Sequence, residues 1–100
     1  MKLDCSVVEG EVKVALGGNL YSEDAQFFKD KLLTYLNKGH KRFAIDMSEV
    51  AYMDDSGLGA FITVHRRAEA NGGGITVKGL RGLAKELFVA AQLQMVFPVG

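Results

Sequence analysis

Asp54-Asp55-Ser56-Gly57-Leu58-Gly59 sets two carboxylates, one hydroxyl and two glycines within six residues. Such a run supports two kinds of chemistry. Its oxygens can accept the unpaired N–H groups at a helix start, or its serine can accept a phosphoryl group. A phosphate on Ser56 would bring about −1.5 to −2 charge and three acceptor oxygens beside Asp54 and Asp55. At a helix start the dipole favours that charge by about 0.3–1 kcal/mol. Neighbouring carboxylates oppose it by a comparable amount near solvent. Phosphorylation is therefore expected to leave the fold unchanged and to act on binding. A partner that desolvates a dianion beside carboxylates meets a penalty of several kcal/mol, and about 2.8 kcal/mol is already 100-fold in affinity. Gly57 and Gly59 are expected to leave the backbone open to an approaching protein.

Other reactive residues are scattered. Asp46 ends an apolar run and could join Asp54 and Asp55 as a carboxylate set for a divalent ion, which would suit a small metal-dependent hydrolase. Asp46 is better suited to capping or to hydrogen bonding within its own loop. His40 and His65 have no second His or Cys at ligand spacing and read as structural. Cys5 is the one cysteine, so neither an intramolecular disulfide nor a cysteine-based metal site can form, consistent with a reducing compartment. Gly72-Gly73-Gly74 lacks the Lys-Ser/Thr of a phosphate loop, follows a helix, and reads as a flexible turn.

The elements that must hold the serine can be read from periodicity. Leu3, Cys5 and Val7 alternate with polar residues, as do Val12, Val14 and Leu16 after the Glu9-Gly10-Glu11 turn, predicting a β-hairpin that Gly17-Gly18-Asn19 ends. Ser22 is the expected N-cap of a first helix, with Glu23 and Asp24 over its first turn and Ala25, Phe28, Leu32, Leu33, Tyr35 and Leu36 facing a core, stopped by Gly39. Phe43-Ala44-Ile45-Asp46-Met47 reads as a strand buried on both faces, and residues 48–55 as a connector. A second helix is expected from about Ser56 to Asn71, with Leu58, Phe61, Ile62, His65 and Ala68 inward. Residues 75–77 predict a strand, 83–92 a helix facing inward through Leu83, Leu87, Phe88 and Ala91, and 95–99 a last strand bearing Pro98. The order is one α/β domain over residues 1–100: a mixed sheet, N-terminal hairpin then βα alternation, covered by helices.

Composition narrows the partners. Twelve Lys plus Arg balance twelve Asp plus Glu, so no bulk field draws the chain to nucleic acid or acidic lipid. Lys38, Lys41 and Arg42 form no stripe and carry no stacking aromatics, and read as a solvated connection. No stretch approaches the roughly 20 apolar residues of a membrane span, and Asp4 interrupts any signal-like core near the N-terminus. A soluble cytoplasmic protein without membrane insertion is expected.

Residues 43–59, from Phe43 through Asp54-Asp55-Ser56-Gly57-Leu58-Gly59, resemble the signature of STAS-domain anti-sigma factor antagonists, in which an apolar strand ending in Asp or Asn leads to Asp-Ser-Ser-Gly-Leu-Gly. The likeness extends over nearly the whole chain. Leu16-Gly17-Gly18-Asn19-Leu20 resembles that family's Gly-Glu-Leu-Asp turn, and Gly73-Gly74-Ile75-Thr76-Val77 its strand after the second helix. The resemblance implies a non-enzymatic module without a cofactor. Its partner would be an anti-sigma factor that is also a serine kinase, bound only by the unphosphorylated form, with a serine phosphatase as a further partner. It places the phosphorylated serine at Ser56, the family aspartate at Asp54 and the Gly-Leu-Gly at Gly57, Leu58 and Gly59. Asp55 stands where the family's first serine usually is, and Asn19-Leu20-Tyr21 departs from Glu-Leu-Asp. The alternative is a STAS-like subunit that docks in a lipid-transport or transporter assembly without phosphorylation.

Overall fold

The computed structural model describes residues 1–93, so the expected strand over 95–99 lies outside the described residues. Seven elements follow in order: β1 (Lys2–Val8), β2 (Glu11–Leu20), α1 (Ser22–Asn37), β3 (Arg42–Met53), α2 (Asp55–Ala70), β4 (Gly74–Lys78) and α3 (Gly82–Ala90). The four strands lie in the order β1-β2-β3-β4. β1 and β2 are antiparallel, and their turn takes positive φ at both Glu9 (52°) and Gly10 (82°), the twist a two-residue hairpin needs. β2 with β3 and β3 with β4 are parallel.

Because the parallel strands are laid down in spatial sequence, two crossovers of the same hand put α1 and α2 on the same face of the sheet. Val12, Val14, Leu16, Phe43, Ile45, Met47, Ile75 and Val77 meet Phe28, Leu32, Phe61 and Val64 there in one buried cluster. Phe28 and Phe61 join the two helices, ring centroids 4.8 Å apart. The other face has no helix among the described residues: Lys13, Thr76 and Lys78 are exposed and Ala15, Ala44 and Asp46 half-buried. The expectation that residues 43–47 are buried on both faces is thus corrected, since β3 alternates buried and half-buried residues along one covered face.

Both strands that lead to the site are longer than their periodicity suggests. β2 does not end at Gly17-Gly18 but passes through them to Leu20, with register shifts between Ala15 and Gly17 and between Gly18 and Asn19. The glycines bend a strand instead of ending it; a Cβ on Gly17 would stand 3.3 Å from that of Glu49. Residues 48–53 are likewise not a connector, because Glu49, Val50, Tyr52 and Met53 pair with Gly17, Gly18, Asn19 and Leu20. In α3 the inward side is Ala84 and Phe88, whereas Leu83 is 50% exposed and Ala91 is exposed. The i, i+4 pair Ala84/Phe88 takes the core-facing position that periodicity alone assigns to Leu83. No helix among the described residues is long and apolar enough to cross a membrane.

Candidate functional site

The pairing of Leu20 with Met53 brings the carboxyl ends of β2 and β3 level, and each strand runs straight into a helix. The N–H of Asp54 donates to the carbonyl of Leu20 at 3.1 Å, tying the two strand-to-helix turns together. The N-termini of α1 and α2 therefore lie side by side at one edge of the molecule.

They are capped differently. In α1 the N-cap is Tyr21, not Ser22; its backbone N–H donates to Asp24 Oδ2 at 3.2 Å, and Ser22 is the first helical residue. Asp24, third in the helix, accepts the N–H of the N-cap residue itself, a different bond from the one expected of Ser22, whose hydroxyl would have accepted an N–H of the first turn. In α2 the N-cap is Asp54, whose Oδ1 accepts the N–H of Gly57 at 3.0 Å. With Asp54 capping, Asp55 and Ser56 are exposed on the first turn.

The two motif glycines have opposite surroundings. Gly57 is buried, and a Cβ on it would lie 3.3 Å from the Leu20 carbonyl and 3.3 Å from the Met53 Cβ. It lets α2 approach the ends of β2 and β3, so the expectation that it opens the backbone to a partner is corrected. A Cβ on Gly59 would have nothing within 4 Å and would face open space. Leu58 is half-buried against the core.

Ser56, Gly59 and Thr63 on α2 face Ser22, Gln26 and Lys29 on α1 across an open groove of about 360 Å³. Tyr21, 51% exposed, lies against Tyr52 with ring centroids 5.7 Å apart at the adjoining strand ends. Ser22 was expected only as a helix cap, and Lys29 and Thr63 were not singled out as site residues. A signal existed: Ser22, Gln26 and Lys29, like Ser56, Gly59 and Thr63, fall at helical spacing. Which stripe faces which depends on the packing of two helices.

The remaining candidates are apart from this edge. Asp54 lies eight positions beyond Asp46, past the far end of β3 and roughly 26 Å of extended chain away, so the carboxylate set for a metal-dependent hydrolase is not assembled. No group of three or more potential metal ligands occurs among the described residues. Asp46 Oδ1 accepts the N–H of Ser48 at 3.0 Å, and hydrogen bonds from Ser48 hold its carboxyl below the ordinary value. A depressed carboxyl stabilises the fold above its unfolded pKa, about 3.9, and that contribution is lost as pH falls through the folded value. Cys5 is half-buried, and burial raises its thiol pKa, opposed by Lys31. His65 is buried, its Nδ1 accepting the N–H of Ile75 at 3.1 Å. Within the Gly72-Gly73-Gly74 turn, Gly73 is closely packed: a Cβ on it would lie 1.9 Å from the Lys41 carbonyl.

Comparison with known proteins fits this arrangement. The chain is 24% identical over 99 residues to BtrV of Bordetella bronchiseptica, assigned as an anti-sigma factor antagonist, covering 99% of this chain and 85% of that one. It is 23% identical over 99 residues to the anti-sigma-B factor antagonist of Bacillus subtilis, covering 99% and 90%. The fold matches the Bacillus anti-sigma factor antagonist SpoIIAA at 19% identity in an unphosphorylated and a phosphorylated form. The TM-score is 0.81 for the unphosphorylated form, over 99% of this chain and 87% of that one. For the phosphorylated form it is 0.79, over 99% and 91%. The family described as "Mlab, STAS domain" matches residues 3–98, and the chain belongs to the STAS-domain family.

Proposed function

We propose that this chain is an anti-sigma factor antagonist that binds an anti-sigma factor with serine-kinase activity, and that phosphorylation of Ser56 ends the complex. The observation that carries the reading is the division of labour at the head of α2. Asp54 caps the helix, so the exposed Ser56 hydroxyl has no part in holding the fold. In the transfer, Ser56 Oγ bonds to the γ-phosphorus of ATP, its proton passes to a base of the kinase, and ADP leaves. A serine phosphatase reverses this by hydrolysis, returning the hydroxyl and free phosphate. ATP and its metal belong to the kinase, and the chain itself acts by binding.

The first turn of α2 already carries Asp55 and the Asp54 cap. A phosphate there is tolerated while solvated and becomes costly once a partner covers it. The test is incubation with the partner kinase and ATP, mass analysis of the product, and binding of Ser56→Ala and Ser56→Asp. Label confined to Ser56, lost in Ser56→Ala, with affinity of Ser56→Asp lowered about 100-fold, is the expected result. Equal labelling of Ser56→Ala overturns the site. Binding indifferent to Ser56→Asp, with copurification of membrane components, would establish the phosphorylation-independent subunit of a transport assembly instead.

A further inference from the structure

Lys29 is a half-buried cation on α1 whose stem lines the groove that also holds Ser56. It enters no ion pair among the described residues. A lysine on a helix leans over the turn N-terminal to its own Cα, here the turn of Ala25 and Gln26, which line the same groove as Ser22 and Ser56. Two hydroxyls, Ser22 and Thr63, line the same groove. We propose that this groove seats the phosphoryl group carried by Ser56 and that Lys29 is its counter-ion. The inference rests on Ser56 being the phosphoacceptor.

The other charged groups around the groove make Lys29 distinctive. Asp54 and Asp55 stand at the head of α2, and Glu23 and Asp24 in the first turn of α1. Asp30 is engaged by Gln26 Nε2 at 2.8 Å. All are carboxylates that repel a phosphate. Arg67 lies eleven residues beyond Ser56, about 16 Å along the helix. Lys29 is thus the cation placed to offset the added charge without help from a partner. The phosphorylated form then keeps its fold, while the lysine is withdrawn from any acidic surface that bound it before.

The test separates this from the kinase reading by installing phosphoserine at position 56 through genetic encoding, so that no kinase is needed. The second phosphate ionisation is followed by ³¹P NMR in the wild type, Lys29→Met, Lys29→Arg and Lys31→Met. Phosphoserine ordinarily titrates near pH 6. In the wild type and Lys29→Arg the midpoint is expected below that of Lys29→Met by about 0.2–0.7 pH units, the size of an exposed ion pair. Lys31→Met, which removes the same charge from another face of α1, should titrate as the wild type. Coincident curves for the wild type and Lys29→Met overturn the proposal, as does an equal shift in Lys31→Met. Methionine keeps the unbranched stem, and an unchanged Tm of each unphosphorylated variant confirms the comparison. Failure of every kinase to modify Ser56 would sink the function proposed above and leave these curves unaffected.

Discussion

The two ends of α2 are built to opposite specifications. At its C-terminal end the chain is locked: Gly74 N–H donates to the Lys41 carbonyl at 2.9 Å, buried His65 accepts from Ile75, and Gly73 sits where no Cβ fits. At its N-terminal end a buried Gly57 and the Asp54 cap fix the backbone, while Ser56 and Gly59 face outward over an open groove. Both ends of the helix are held, and the N-terminal one also sets the Ser56 side chain at the solvent-facing surface. A charge added at the accessible end meets solvent and leaves the packing untouched, which is what a switch acting only on binding requires.

That contrast is broken most severely at the locked end. Gly73→Ala must displace the Lys41 backbone and is expected to cost on the order of 3 kcal/mol, lowering Tm by roughly 10 °C or more in thermal unfolding followed by circular dichroism. A Tm within about 2 °C of wild type would show that the turn yields and the lock is illusory. Asp54→Ala should have a middle effect, about 1 kcal/mol and roughly 5 °C, through loss of the cap bond to Gly57. A larger loss would mean that the accessible end also carries the fold. Gly59→Ala has the smallest effect and the opposite sign: with open space around it, alanine should stabilise the helix by about 0.5–1 kcal/mol. The same methyl group stands on the surface proposed for the partner, so affinity measured by calorimetry should fall while Tm rises. Both rising together would place the partner elsewhere.

Much of this was legible in the chain. Hydrophobic alternation located the hairpin, 3.6-residue periodicity located α1 and α2, and the Asp-Asp-Ser-Gly-Leu-Gly run marked the start of α2, because each signal is local. Local rules misread residues 17–19 and 48–53, where two glycines and a polar stretch looked like breaks. Pairing between β2 and β3 overrode those signals, since a neighbouring strand satisfies backbone groups regardless of side-chain type.

The order of the seven described elements, a serine at a helix start and the carboxylates around it were already written in the linear chain, since these depend on residues adjacent to one another. Packing in three dimensions was needed to bury Gly57 and leave Gly59 open, to set Lys29 and Ser22 opposite Ser56, and to leave one face of the sheet without a helix among the described residues. Those outcomes follow from the pairing of strands and the hand of two crossovers, which bring together residues more than 25 positions apart.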